Sequence, residues 1–507
     1  MIRNFLTVGT WTMASRVLGF LRDILFAALL GAGPVAEAFV VAFSLPNMFR
    51  RFFGEGAFNM AFVPMFAKKL EKGENAEDFA RDALSGLAGI LIVLTFVALL
   101  AMPWLVLAMA YGFQGDPRHG LAIDLGRIVF PYILFIALAA LVSGVLNSAG
   151  RFAAAAAAPV LLNVVLIGAM ALAAWTGGDV GRWLAWGVLL AGIAQLALVW
   201  QAAARIGFGL VPRRPRLTPE LKTLAIISAP AALAGGVVQV NLLVGRQVAS
   251  FFEGSIQYLN LADRLYQLPL GVVAIAIGVV LLPELSRRLG AEDAVGGRAA
   301  FNRATEFALL LTLPAAVALM VIPGPLVSVL FQRGRFTAED AAATAIVLAI
   351  YGAGLPAFVL QKVVQPLYFA RGDTLTPFRF ALVGMSVNLV LAVGLAFWIG
   401  YVAAAVAASA ASWAMLWLLW RGRLRFGVSA RPDDRLIRRV ARSALASVGM
   451  GLAVAVLHAW LAPMLAADYW RYLALAVLVG AGAAVYFAIA FAIGAMTRHG
   501  LRASLRR

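Results

Sequence analysis

Apolar runs long enough to cross a bilayer recur from one end of this chain to the other, and no other feature limits its fold so strongly. The runs cover 5–30, 35–66, 83–110, 121–147, 153–174, 183–204, 221–250, 256–285, 304–331, 339–369, 376–398, 402–420, 440–461 and 470–496. About twenty consecutive apolar residues span the hydrocarbon core as a helix. Each run is therefore predicted to be a transmembrane helix, and the chain an all-α polytopic membrane protein with about fourteen spans. Runs longer than the core is thick must tilt, kink or protrude into water. Prolines 46, 64, 131, 159, 230, 269, 283 and 356 lie within or at the ends of these runs. Broken helices survive in membranes where neighbours or a wet cavity satisfy the freed backbone groups.

Composition points the same way. Of 507 residues, 63% are hydrophobic and 13% charged, with a mean hydropathy of +0.90. A soluble domain is about half apolar and a quarter charged, so the surplus here has to face lipid. Cysteine is absent, which excludes disulfides and thiolate sites. His119, His458 and His499 lie far apart without ligand spacing, so neither a metal nor a cofactor is expected. No paired acid and base or activated nucleophile stands out, which argues against an enzyme.

The net charge of +18 would suit a nucleic-acid partner if it covered one soluble face. It is instead distributed over alternate connections. The N-terminus, 67–82, 148–152, 205–220, 286–303, 370–375, 421–439 and the C-terminal tail hold the bulk of the Lys and Arg. The opposite side holds Arg118, Arg182, Arg333, Arg335 and Arg471. Loops rich in Lys and Arg stay cytoplasmic, so both termini are expected in the cytoplasm and an even number of spans follows. The basic loops face anionic headgroups, making membrane lipids the expected contact and nucleic acid none. No signal-peptide cleavage pattern is present, so the first run reads as a retained helix. Arginine outnumbers lysine 37 to 5, a coding bias that leaves position to say what any one arginine does.

The chain also repeats itself. Pro64-Met-Phe-Ala-Lys-Lys-Leu70 ends the second run and Pro283-Glu-Leu-Ser-Arg-Arg-Leu289 ends the eighth. Pro131 and Asn163-Val-Val-Leu166 recur as Pro356 and Asn388-Leu-Val-Leu391, with 32 residues from Pro to Asn in both copies. Two parallel six-helix lobes are predicted, 1–205 and 218–425, with accessory helices over 434–496 and a cytoplasmic tail at 497–507. Repeats flanking a midplane site are a transporter architecture.

Eight cations lie inside the runs: Arg16, Arg22, Arg50, Arg51, Arg127, Arg246, Arg264 and Lys362. A central arginine costs about 2.5–3.5 kcal/mol to insert, so four deep ones would cost about 10–14 kcal/mol facing lipid. A shared wet cavity between the lobes is the cheaper solution. Several have plainer explanations. Arg51 and Glu55 are an i,i+4 pair; Arg16 and Asp23 lie seven apart on one face; Arg127, Arg246 and Lys362 sit near run ends, where long side chains snorkel. Arg22, Arg50 and Arg264 resist that reading best, because their adjacent acids point about a third of a turn away. Excess cation in an apolar cavity suits a phosphate or diphosphate. A carrier of cationic drugs would present unpaired acids, whereas Asp23, Glu37, Glu55, Asp124 and Asp263 are matched or outnumbered by bases.

The longest motifs are Ser15-Arg-Val-Leu-Gly-Phe-Leu-Arg-Asp23 and Leu45-Pro-Asn-Met-Phe-Arg-Arg-Phe-Phe-Gly-Glu-Gly-Ala-Phe58. Shorter ones are Ala262-Asp-Arg-Leu265, Phe130-Pro-Tyr-Ile133, Leu330-Phe-Gln-Arg-Gly-Arg-Phe-Thr337 and Gly372-Asp-Thr-Leu-Thr-Pro377. In this order along the whole chain they resemble the MurJ (MviN) family of bacterial lipid II flippases. The resemblance implies two six-helix lobes around a cationic central cavity, within the superfamily of multidrug, oligosaccharidyl-lipid and polysaccharide exporters. It implies flipping of lipid II, a polyprenyl diphosphate-linked disaccharide-pentapeptide, from the cytoplasmic to the outer leaflet of the bacterial cytoplasmic membrane by alternating access. Proteins of cell-wall synthesis are candidate partners of unspecified identity.

Carried over residue by residue, the substrate-binding arginines fall on Arg16, Arg22, Arg50, Arg51 and Arg264. Asp23, Glu37, Glu55, Asp263, Gln267 and Lys362 form a second tier. The last two helices correspond to a groove for the polyprenyl tail. The chain departs from the pattern at Glu37, often Asp; near Ser44, where some members carry a lysine; at Gln267, in place of an acid; and in run 221–250, which lacks the acid some members use for cation coupling. The competing readings are an exporter of drugs or of another lipid-linked oligosaccharide on the same fold, and a membrane scaffold whose charges are purely structural.

Overall fold

The computed structural model describes residues 2–53, 57–291 and 293–496, and its regular elements are all helices. In the first half these are α1 (Ile2–Leu30), α2 (Pro34–Phe53), α3 (Ala57–Lys72), α4 (Ala76–Leu100), α5 (Met102–Met109), α6 (Pro117–Val129), α7 (Tyr132–Ser148), α8 (Ala153–Thr176), α9 (Val180–Ala204) and α10 (Pro219–Ser250). There follow α11 (Ser255–Gly290), α12 (Ala294–Val321), α13 (Pro323–Phe331), α14 (Ala338–Phe369), α15 (Leu375–Ile399), α16 (Val402–Gly422), α17 (Asp434–Ala466) and α18 (Arg471–Ala492). Glu55 and the tail at 497–507 lie outside the described residues.

Prolines set some of the breaks. Run 83–110 divides into α4 and α5, and run 304–331 into α12 and α13, with Pro103 and Pro323 in the first turn of the second piece. Run 121–147 divides at Pro131, between α6 and α7. A proline is tolerated in a first turn because its missing N–H has no intrahelical acceptor there. Pro46, Pro64, Pro159, Pro269, Pro283 and Pro356 instead stay inside continuous helices.

Among the described residues, ten helical segments are long and apolar enough to cross a membrane. The expected spans of α1, of α2 with α3, of α10 and of α11 are not in that set, and the side chains of 229–242 and 274–282 lie outside those described. These four spans carry Arg16, Arg22, Arg50, Arg51, Arg246 and Arg264.

Contacts group the chain into two compact units, Met1–Gln257 with Arg333–Phe336, and Tyr258–Gln332 with Thr337–Arg507. In the first, α1 lies along α8, both α7 and α8 pack on α9, α4 packs on α7, and α10 packs on α3. In the second, α14 and α15 pack on α16, α12 packs on α14, and α17 packs on α12 and α18. The pairings α7–α9, α8–α9 and α4–α7 thus recur as α14–α16, α15–α16 and α12–α14. The sequence repeat divides the chain at the 205–218 linker, whereas packing places α10 with the N-terminal helices.

Two attachments fix the first unit. Arg335 N–H donates to the carbonyl of Ala28 at 2.8 Å. Gly31 has φ +64°, and a β-carbon there would stand 2.5 Å from the carbonyl oxygen of Arg335, so only glycine admits this approach. The linker between α9 and α10 is strapped to α4: Arg213 reaches Asp82 at 2.6 Å and Asp78 at 3.0 Å, and Arg81 reaches the carbonyl of Gly209 at 2.9 Å.

Candidate functional site

Ser15, Gly19 and Arg22 fall at i, i+4 and i+7, one face of α1, and that face lies against α8. Arg22 donates through Nε and Nη2 to Oδ1 of Asp23 at 3.1 and 2.7 Å, and through Nη1 to Oδ1 of Asn163 at 3.0 Å. The sequence expectation that Asp23 points away from Arg22 is therefore corrected. The guanidinium is long enough to fold back across the hundred-degree step between neighbours. Asp23 is buried and Arg22 nearly so, while Arg16 is exposed.

On α2, Nε of Arg50 donates to Oδ1 of Asn47 at 3.3 Å, and Nδ2 of Asn47 donates to the carbonyl of Phe43. Arg51 occupies the next position of the same helix, and its expected partner Glu55 is not among the described residues.

Glu37 is fully enclosed. Its Oε2 accepts from Nη1 of Arg118 at 2.8 Å, and its Oε1 accepts from the backbone N–H of Ile256, in the first turn of α11, at 3.0 Å. Arg118 also donates to Asp116 at 2.9 Å and stacks over Phe113, 4.5 Å from the ring centre. Asp116 caps α6 by accepting from the N–H of Arg118. The hydrogen bond from the Arg118 guanidinium holds the Asp116 carboxyl below its usual range. The sequence offered Arg118 only as a loop cation; the structure buries it as the counter-ion of Glu37 and Asp116. An Asp-Pro-Arg at a helix start was the available signal.

In the second unit, Asp263, Arg264 and Gln267 share the early part of α11, and the Gln267 amide donates to Asp263. Tyr266 packs between Tyr351 and Phe358 of α14 at 5.5 and 5.7 Å between ring centres. Lys362 on α14 is exposed, while its neighbour Gln361 is buried and donates to the carbonyl of Ser412. The structure thus brings together Arg22 with Asp23, Arg50 with Asn47, Glu37 with Arg118, and Asp263 with Gln267. Asn163, visible in the sequence only as a repeat marker, proves to be the second anchor of Arg22. A carboxamide in the middle of an apolar helix was the clue.

A family model for the lipid II flippase MurJ matches residues 26–482. The chain belongs to that family. It is 44% identical, over all of its length and 96% of the relative's, to a probable lipid II flippase MurJ of Rhizobium meliloti. It is 37% identical to the lipid II flippase MurJ of Burkholderia cenocepacia over 75% of this chain and 76% of that one. A solved MurJ structure in an inward closed conformation superposes with a TM-score of 0.80 at 25% identity, covering 96% of this chain and 98% of that one. An inward-facing multidrug MATE transporter superposes with a TM-score of 0.68 at 15% identity, covering 82% of this chain and 95% of that one, and shows the shared fold alone.

Proposed function

We propose that this multi-pass membrane protein moves lipid II from the cytoplasmic to the outer leaflet of the bacterial cytoplasmic membrane, by alternating access and without covalent chemistry. The observation that carries the reading is the placement of Arg22, Arg50 and Arg264 within the expected spans of α1, α2 and α11, the first with its guanidinium held by Asp23 and Asn163. A lipid-linked sugar carries its charge as a diphosphate at the junction of a polar head and a polyprenyl tail. Guanidinium groups match phosphate oxygens in pairs, and a charge inside a membrane is strongest where water is scarce.

The substrate-binding set is Arg16, Arg22, Arg50, Arg51 and Arg264, with Asp23, Glu37, Glu55, Asp263, Gln267 and Lys362 supporting it. Two repeat lobes, 1–205 and 218–425, supply the moving parts, and the helices over 434–496 take the tail. Both termini lie in the cytoplasm, as the Lys and Arg bias of the loops supports. The full chain in proteoliposomes carrying labelled lipid II is expected to expose the label to an added outer-leaflet reagent. Equal exposure in protein-free vesicles, or export of a cationic dye undiminished by Arg264→Ala, would move the assignment to the drug-exporter reading.

A further inference from the structure

We propose that Asn163 is a positioning residue for lipid binding, holding the Arg22 guanidinium so that its remaining N–H groups meet the diphosphate of lipid II. The proposal rests on the reading above that Arg22 is a ligand of that diphosphate.

Asn163 sits on α8, with four-fifths or more of its neighbours in that helix apolar in character, and is 5% exposed. An amide placed there is costly unless every polar atom is satisfied. It is satisfied by two residues of α1 and one of its own helix. Nδ2 donates to the carbonyl of Ser15 at 3.0 Å and to that of Pro159 at 3.3 Å, and Oδ1 accepts from Nη1 of Arg22 at 3.0 Å. Because two carbonyls hold Nδ2, the amide is fixed with its oxygen toward the guanidinium. Gly19 lies against it: a β-carbon at that position would stand in ordinary contact, 3.5 Å from Nδ2.

Asp23 grips only one edge of the guanidinium and leaves its Nη1 end unheld. It engages Nε and Nη2 through one oxygen, whereas Asn163 takes Nη1. Three of the five donors are thereby committed, and one N–H remains on each terminal nitrogen. A fork fixed in this way loses less entropy on meeting an anion than a free one. The neutral oxygen of Asn163 matters as much as its place. A second carboxylate there would surround Arg22 with two negative charges and repel a diphosphate.

The test measures binding of purified lipid II to the detergent-solubilised full chain, alongside its Tm. Asn163→Ala is expected to weaken binding about tenfold, the scale of one hydrogen bond to a charged group. Asn163→Asp is expected to weaken it further, whatever its effect on Tm. In an Arg22→Ala background, Asn163→Ala should add nothing, because its effect passes through the missing guanidinium. If Asn163→Asp does not reach the membrane, Asn163→Ser, too short to touch Arg22, takes its place and should match Asn163→Ala. Unchanged binding in the Asn163 variants while Arg22→Ala binds weakly overturns the positioning role and leaves the site reading standing. Additive losses in the double variant that follow Tm also overturn it, assigning Asn163 to packing alone. Wild-type binding by Arg22→Ala removes Arg22 from the site and the underlying reading with it.

Discussion

Arg118 and Glu37 meet at 2.8 Å with side-chain exposures of 6% and 0%, joining α6 to α2 through a wholly enclosed ion pair. Glu37 also receives the N–H of Ile256 at the start of α11, so one carboxylate ties three helices. Breaking a buried pair by deleting one partner strands the other charge and costs about 3–5 kcal/mol. Arg118→Ala and Glu37→Ala are each expected to lower Tm strongly, and the double variant to be less destabilised than the sum. Thermal unfolding followed by tryptophan fluorescence in detergent checks this; additive single effects would show that the two do not act as a pair.

Acid should loosen the same corner. The Asp116 carboxyl is held below its usual range by Arg118, so the folded state favours its ionised form. A depressed pKa contributes stability above the unfolded value of about 3.9 and loses it as pH falls through the folded value. Stability is therefore expected to be flat near neutrality with respect to this group and to decline only at strongly acid pH. Asp116→Asn should flatten part of that acid limb in a Tm-versus-pH series.

Arg22→Ala, Arg50→Ala and Arg264→Ala are each expected to abolish complementation of a flippase-depleted strain at normal membrane levels. Replacement by lysine keeps the charge but removes the planar fork; it should be nearly as damaging at Arg22, three of whose five donors have named acceptors. Immunoblots of membrane fractions decide the matter, since loss of all three proteins would assign these arginines to folding.

The chain contains no cysteine, so single cysteines report topology without background. Gln114→Cys and Asp468→Cys, both at exposed positions, should react with a membrane-impermeant maleimide added from outside. Arg214→Cys should react only after permeabilisation. Labelling of position 214 in intact cells would invert the orientation.

The strap on the α9–α10 linker should prove modest. Arg213 is about a third exposed and bonds Asp82 and Asp78, a setting in which ion pairs contribute about 1 kcal/mol or less. Arg213→Ala is expected to leave Tm nearly unchanged while quickening proteolysis within 205–218.

The sequence by itself determined the all-helical class of fold, the family and, among the described residues, ten membrane-spanning segments. Lipid is a uniform solvent that admits only closed backbone hydrogen bonding, so hydropathy alone marks the helices. The cost of placing a cation among apolar residues likewise marks Arg22, Arg50 and Arg264 wherever they end up. Tertiary structure decided which group each charge meets. Asn163 lies 141 positions from Arg22 and Arg118 lies 81 from Glu37, separations across which helical periodicity carries no information. The pairing of Arg22 with Asp23 was lost to sequence reasoning for a different reason. Helical geometry fixes where Cβ points, but four further rotatable bonds decide where a guanidinium arrives, and the packing of α8 against α1 selected among them.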